Sequence, residues 1–232
     1  MRDVFEFVVA VHPSTQGSEN TSQNGNGRRG PGITQEAIGA ATRLIYSPPS
    51  FMQACDWFNG IAPQIFDLLD STDEKEMTNV AAAMIGKILG PERYGKPGKE
   101  GWEALARPIL DNIVPSEAAL SDSASQIIIP AANLSQALKR LETLTNCYPM
   151  PSLANRLFRS TRVPLWAIAS TSASSGTLQD AFVKPAQRLL KTYFTFAPGS
   201  LSLSALQLIV NNLLFKGLAS LISSFDGQLN SL

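Results

Sequence analysis

Between Ile61 and Ile113 the chain reads IAPQIFDLLDSTDEKEMTNVAAAMIGKILGPERYGKPGKEGWEALARPILDNI, the stretch that most constrains its fold. Met77, Val80, Ala81, Met84, Ile85, Ile88 and Leu89 recur at the i, i+3, i+4, i+7 spacing that lines one face of a helix. Gly90 and Pro91 close that helix, because glycine accepts a left-handed cap and proline cannot continue the hydrogen-bond ladder. Helices with one apolar face and short connections must bury that face on one another. The spacing predicts helix packed on helix, an all-α chain.

The same periodicity extends along the sequence. It predicts helices from Thr34 to Tyr46, stopped by Pro48 and Pro49, and from Phe51 to Leu69, bent near Pro63. Further helices are expected over Glu74 to Leu89 and Trp102 to Ile113. Leu134, Ala137, Leu138, Leu141 and Leu144 mark another, ending near Asn146. The next runs from Pro151, a good first-turn residue, to Ala169, with Pro164 inside it. One more reaches Phe194 from a cap at Thr177 or Asp180. The last spans Leu203 to Ile222, with Ser204 and Gln207 as a capping box. The Ile127-Ile128-Ile129 run is too short, and too close to Pro130, to be read as a strand with a partner.

Paired in this way, the helices repeat roughly every 40 to 50 residues, the range of armadillo and HEAT repeats. The expected fold is an all-α, armadillo/HEAT-like helical-repeat solenoid segment, with a compact orthogonal bundle as the alternative. Residues 1–32 are expected to be a short amino-terminal segment plus a disordered, glycine-rich polar loop from Ser14 to Gly32. Residues 33–232 are expected to form the helical repeat domain. The opening MRDVFEFVVAVH does not read as a signal peptide, since Glu6 interrupts its apolar run and no small-residue cleavage site follows.

Composition narrows the function classes. Nineteen basic and nineteen acidic residues cancel, so no long-range field draws the chain to nucleic acid or anionic lipid. Only 16% of residues are charged, against a typical value of about 25%, and 44% are hydrophobic, which points to an extensively covered surface. The Leu203 to Ile222 stretch has the length of a membrane span, but Asn211, Asn212 and Lys216 sit at its middle. It reads as a buried amphipathic helix. Cys55 and Cys147 show no metal or redox spacing and read as reduced core thiols.

Catalytic patterns are not found in the sequence. His12 is the single histidine, at the edge of the glycine-rich loop, and builds no triad. The glycines of GPERYGKPGKEG lack P-loop spacing and follow no strand. Asp70, Asp73, Glu74 and Glu76 cluster at a helix start, where the macrodipole accounts for them. The chain is therefore expected not to be an enzyme and to need no cofactor. The remaining feature with binding character is the loop from Pro91 to Gly101. Its Arg93, Tyr94, Lys96 and Lys99, leading into Trp102, form a candidate protein-binding surface, because arginine and aromatics carry interface hot spots. The plainer reading is a solvated connector whose Tyr94 and Trp102 turn back into the core. Arg28 and Arg29, the other adjacent cations, read as solvated linker residues.

The segments FNGIAPQIFDLLD, EMTNVAAAMIGKILGPERYGKPGKEGW and PIL, with LSQALKRL, PMPSLANRLF and VPLWAIAS downstream, resemble a known family. It is the family of the fungal RNA polymerase II assembly factor required for nuclear transport of the polymerase, whose animal relative is a transport and Golgi organisation protein. The likeness covers roughly Arg43 to Ser170 and is most specific in the ILG…YG.PG..GW piece. It implies a section of a long armadillo/HEAT solenoid without catalytic residues. It also implies a scaffold in assembly and nuclear import of RNA polymerase II, cytoplasmic and shuttling to the nucleus. The expected partners are proteins, namely polymerase subunits, transport factors or co-chaperones, without direct nucleic acid or a membrane span. The alternative is a helical-repeat co-chaperone or a vesicle-traffic adaptor.

Overall fold

The computed structural model describes residues 35–71, 75–115, 129–171 and 176–214. The chain is all-α, with no strand among the described residues. It divides into two compact units, Met1–Ala104 and Leu105–Leu232. The first holds α1 (Gln35–Tyr46), α2 (Ala54–Asp70), α3 (Lys75–Leu89) and the short α4 (Glu92–Gly95). A first π-helical turn, Trp102–Ala106, overlaps the boundary and leads into α5 (Arg107–Leu110). The second unit continues with α6 (Ala131–Cys147), α7 (Pro151–Ser170) and the short α8 (Gly176–Leu178). A second π turn, Gln179–Val183, then leads into α9 (Lys184–Phe196), which is followed by α10 (Gly199–Leu214).

In the first unit α3 is the central helix, with α1 and α2 packed on it. Met84, Ile85, Ile88 and Leu89 are wholly buried, as are Phe58 and Ile65 of α2. This is the stripe that the sequence periodicity marks. Trp57 ties α2 to α1 by donating its indole N–H to the Ile45 carbonyl at 2.8 Å. In the second unit α9 lies against α7 and α6, α5 packs on the same two helices, and α10 rests on α7. Phe158 of α7 and Tyr193 of α9 bring their rings to 5.5 Å. Arg188 of α9 donates to both Glu142 carboxylate oxygens of α6, the Nη2 bond measuring 3.1 Å.

The two π turns share a cause. Each is five residues long, and each places a proline, Pro108 or Pro185, as the second residue of the helix that follows. Proline brings no N–H, and its ring collides with the carbonyl four residues back in an ordinary helix. A wider turn immediately before it relieves that collision. The sequences agree as well. Glu103-Ala104-Leu105-Ala106-Arg107-Pro108 matches Asp180-Ala181-Phe182-Val183-Lys184-Pro185 in type at every position: acid, alanine, large apolar, small apolar, cation, proline.

Some buried positions correspond as well. The buried residues of α2, Phe58, Ile61, Ala62, Ile65 and Leu69, correspond to Leu134, Ala137, Leu138, Leu141 and Thr145 of α6, 76 positions on. At the same displacement Ala81, Ala82, Ile85, Ile88 and Leu89 of α3 correspond to Leu157, Phe158, Thr161, Pro164 and Leu165 of α7, all buried. Leu105, Ala106, Ile109 and Ile113 correspond to Phe182, Val183, Ala186 and Leu190, 77 positions on. Other positions break the correspondence: Ala83, Met84 and Leu110 are buried, whereas Arg159, Ser160 and Gln187 at the same displacements are exposed. The helical-repeat arrangement expected from sequence is therefore not shown.

Other expectations need correction. Ser204 does not cap α10, which begins five residues earlier; its hydroxyl donates to the Ser200 carbonyl at 2.9 Å inside the helix. Asp180 is not a cap either; it lies in the second π turn and pairs with Lys184. Cys55 is exposed rather than a core thiol, because it stands on the solvent side of the first turn of α2. The segment 1–32, with His12, Arg28 and Arg29, lies outside the described residues, as do Ile127 and Ile128 and the part of the last expected helix beyond Leu214. Far-ultraviolet circular dichroism should give a predominantly helical spectrum; a substantial sheet signal would contradict the fold.

Neither cysteine is in a disulfide, and they differ in environment. Burial pushes the Cys147 thiol above its ordinary range by penalising the thiolate. A disulfide-exchange reagent at mildly alkaline pH should therefore react in two phases, Cys55 first and Cys147 slowly. Equal rates would contradict the placement. The sign for stability follows from linkage. The contribution of this raised pKa is present below the unfolded thiol value, about 8.5, and is lost as pH rises through the folded one. Stability should fall on the alkaline side, and replacing Cys147 by serine should remove that component.

Candidate functional site

The loop from Pro91 to Gly101 is ordered by its glycines and by Tyr94. Gly90 N–H donates to the Gly86 carbonyl and ends α3, and Gly95 N–H donates to the Pro91 carbonyl at 3.1 Å, closing α4. This turn folds so tightly that a Cβ at Gly95 would collide with the backbone carbonyl group of Leu89. Gly98 has φ of +81°, the left-handed region that glycine enters without a steric cost. Its N–H donates to Glu103 Oε1 at 2.9 Å, which pins the loop to the start of the π turn. At Gly101 a Cβ would sit 2.9 Å from the Tyr94 carbonyl and 3.1 Å from Ile88 Cγ2. Gly95 and Gly101 are there for close packing, Gly98 for its backbone conformation.

Tyr94 turns inward. It is 7% exposed, and its ring lies 5.2 Å from Tyr46 and 5.0 Å from Phe58. Trp102 is 5% exposed. The structure thus removes Tyr94 from the proposed contact surface and makes it the hub between α1, α2 and the loop. Its aromatic-cluster geometry adds to the area it buries. Sequence reasoning weighed this inward placement, but the i, i+3, i+4 rule does not reach loop aromatics, so the neighbours could not be named.

The three cations stay exposed. Arg93 lays its guanidinium carbon 4.9 Å from the centroid of the Tyr94 ring, a cation–π contact that orients it. Lys96 pairs with Glu92 at 2.7 Å, four residues back on the same short helix. Lys99 shapes the loop through its backbone, donating to the Lys96 carbonyl and accepting from Glu103 N–H, both at 2.9 Å. Between Pro91 and Glu103, Glu92, Glu100 and Glu103 balance Arg93, Lys96 and Lys99. The loop is therefore a rigid, mixed-charge knob rather than a basic patch. Three cations interleaved with three carboxylates make no continuous track for a phosphate backbone.

Reversing all three cations, Arg93→Glu, Lys96→Glu and Lys99→Glu, is expected to weaken capture of a protein partner while shifting the thermal midpoint little. Exposed pairs contribute only about 0 to 1 kcal/mol to folding, whereas like charges forced together at an interface cost several. Capture that survives the triple reversal would place the contact elsewhere on the helices.

Two further features lie in the second unit. A shallow groove of about 240 Å³ runs between the end of α6 and the outer face of α9, lined by Thr145, Asn146, Lys191 and Thr195 among others. Two of its three threonine hydroxyls are already spent on helix carbonyls, Thr145 on Leu141 and Thr195 on Lys191. Deeper in, Arg162 Nη1 donates to the Tyr193 hydroxyl at 3.3 Å, and that hydroxyl donates to the Leu201 carbonyl at 3.3 Å, linking α7, α9 and α10. Periodicity gave no signal for either. Among the described residues no cluster of His, Cys, Asp or Glu is placed to hold a metal ion, and no helix is long and apolar enough to cross a membrane. No protein-family model, curated protein or solved structure matches the chain.

Proposed function

We propose that this chain is a non-enzymatic helical scaffold acting in the assembly and nuclear import of RNA polymerase II. In this reading it is a section of an armadillo/HEAT-like solenoid that is cytoplasmic and shuttles to the nucleus. The support for repeats is a set of buried positions in α2 and α3 that recurs 76 positions on in α6 and α7. The support for the polymerase is the resemblance carried by Ile88, Leu89, Gly90, Tyr94, Gly95, Pro97, Gly98, Gly101 and Trp102. Most of these residues build the tight Tyr94 loop, so the likeness speaks first to shape and only through shape to partner.

The mechanism is non-covalent. Helices held rigid by their neighbours present a preformed face, so little ordering entropy is lost when a subunit or assembly intermediate binds. The exposed Arg93 and Lys99 would fix orientation by meeting acidic side chains of that partner. Affinity capture with the whole chain, read by mass spectrometry, tests the assignment. Polymerase subunits in the captured set are the expected result. Co-chaperones or vesicle-coat components in their place would transfer the chain to the alternative adaptor reading, and turnover of a small molecule would overturn the scaffold.

A further inference from the structure

The formal net charge of zero conceals a segregation of sign. The first unit, residues 1–104, carries nine basic and thirteen acidic residues, and the second, residues 105–232, carries ten and six. The excess is sharper still from Ala131 to Phe196, which holds eight cations and two carboxylates, Glu142 and Asp180. Charge divided in this way gives the basic part a local field that the whole-chain balance does not show.

Helix geometry gathers part of that excess on one face. Lys184, Arg188 and Lys191 follow at i, i+4 and i+7 on α9, and all three are exposed. On α6, Lys139, Glu142 and Asn146 keep the steps of three and four. Arg188 joins the two rows by donating to both Glu142 carboxylate oxygens, so the rows lie side by side. Lys184 pairs with Asp180. Both carboxylates are thus committed, and among the described residues neither Lys139 nor Lys191 has an ion pair. At one end of the rows lies the shallow groove, where the Asn146 amide and the Thr192 hydroxyl join Lys191, and Pro149 and Phe196 supply apolar wall.

This arrangement selects among anionic partners. A phosphate backbone wants an unbroken cationic track, and here Glu142 and Asp180 stand in the rows. An acidic peptide fits the whole face: its carboxylates meet the lysines, its backbone carbonyls accept from Asn146 and Thr192, and its apolar stems lie on Pro149 and Phe196. We infer that the α6–α9 face of the second unit is a docking surface for an extended acidic segment of a partner protein, one carboxylate of which sits in the groove against Lys191. Lys184 and Lys191 are two helical turns apart on α9, about 10 Å, which an extended segment covers in three to four residues. The inference does not rest on the polymerase reading, whose cations belong to the first unit.

Fluorescence anisotropy of a labelled octaglutamate titrated with the whole chain tests it. Binding in the micromolar range is expected at about 50 mM salt, weakening at least about fivefold by about 300 mM as the exposed charges are screened. Octaglutamine should not bind. Lys139→Glu with Lys191→Glu should raise the dissociation constant at least about tenfold, since like charges then face the peptide. Its helical spectrum and thermal midpoint should match the parent, because both side chains are exposed and outside the ion pairs. If that variant loses helix, Lys139→Gln with Lys191→Gln should still weaken binding about threefold or more. Arg93→Glu with Lys99→Glu makes the same charge change in the first unit and should leave octaglutamate binding as it was. Equal losses from the two reversals would overturn the site, because the attraction would then belong to the chain as a whole. So would absence of binding at about 1 mM protein, or a single-stranded octaribonucleotide that binds more tightly than the peptide.

Discussion

Replacing Trp102 by alanine is expected to cost about 3 to 5 kcal/mol of folding stability, the usual loss for a large aromatic removed from a packed core. Trp102 is 5% exposed at the entrance of the first π turn, directly after Gly101, whose own contacts are with Tyr94 and Ile88. For a chain of this size the loss corresponds to roughly 6 to 20 °C in thermal midpoint. Trp102→Phe, which keeps most of the volume, should cost much less. Denaturant unfolding followed through the two remaining tryptophans, Trp57 and Trp166, would measure both. A Trp102→Ala loss under about 1 kcal/mol would mean that the ring is not packed.

Gly95→Ala should be nearly as damaging, although it adds only a methyl group. The new Cβ would fall inside the Leu89 carbonyl group, a backbone neighbour that no side-chain rotation can move. The turn closing α4 must open to admit it, which would withdraw Tyr94 from Tyr46 and Phe58. A loss above about 2 kcal/mol is expected, since close-packed interiors feel even one methylene. Two other glycines give the scale. At Gly98 a Cβ meets open space but φ is +81°, so alanine there should cost about 1 to 2 kcal/mol through backbone strain alone. Gly60 lies within α2, with no heavy atom within 4 Å of a Cβ, and alanine should stabilise by about 0.5 to 1 kcal/mol. If the effects of Gly95→Ala and Gly60→Ala proved similar, the tight turn would be wrong.

How much of this could be read in advance follows from the physics of each element. The helices were legible because an apolar stripe at 3.6-residue spacing has one interpretation in a chain this length. α2, α3, α6 and α7 begin and end within a few residues of where the stripes, Pro151 and Gly90 place them. The first π turn was not legible as such. Trp102 to Ile113 looks like one regular helix until the proline's missing N–H is set against the turn that must precede it.

The candidate site was half legible. Sequence placed Arg93, Lys96 and Lys99 in an exposed connector, and there they stand. It could not tell that Glu92 takes up Lys96, because a pair at i, i+4 depends on the loop forming a helical turn at all. Tyr94 was ambiguous until its neighbours were in place, since an aromatic between glycines is equally suited to an interface and to a core. The exposed face of α10 ran against expectation. The stretch from Leu203 to Ile222 reads as a buried amphipathic helix, and over its described part Ala205 and Ile209 are buried while Leu203, Leu206 and Val210 stay exposed.

The direct measurement of the scaffold reading is where the polymerase goes when the chain is gone. Depleting the protein in its own cells should leave the largest RNA polymerase II subunit accumulating in the cytoplasm, and re-expression of the parent chain should restore its nuclear signal. The triple reversal at Arg93, Lys96 and Lys99 should restore it poorly at equal abundance. Polymerase that stays nuclear after complete depletion would contradict the account.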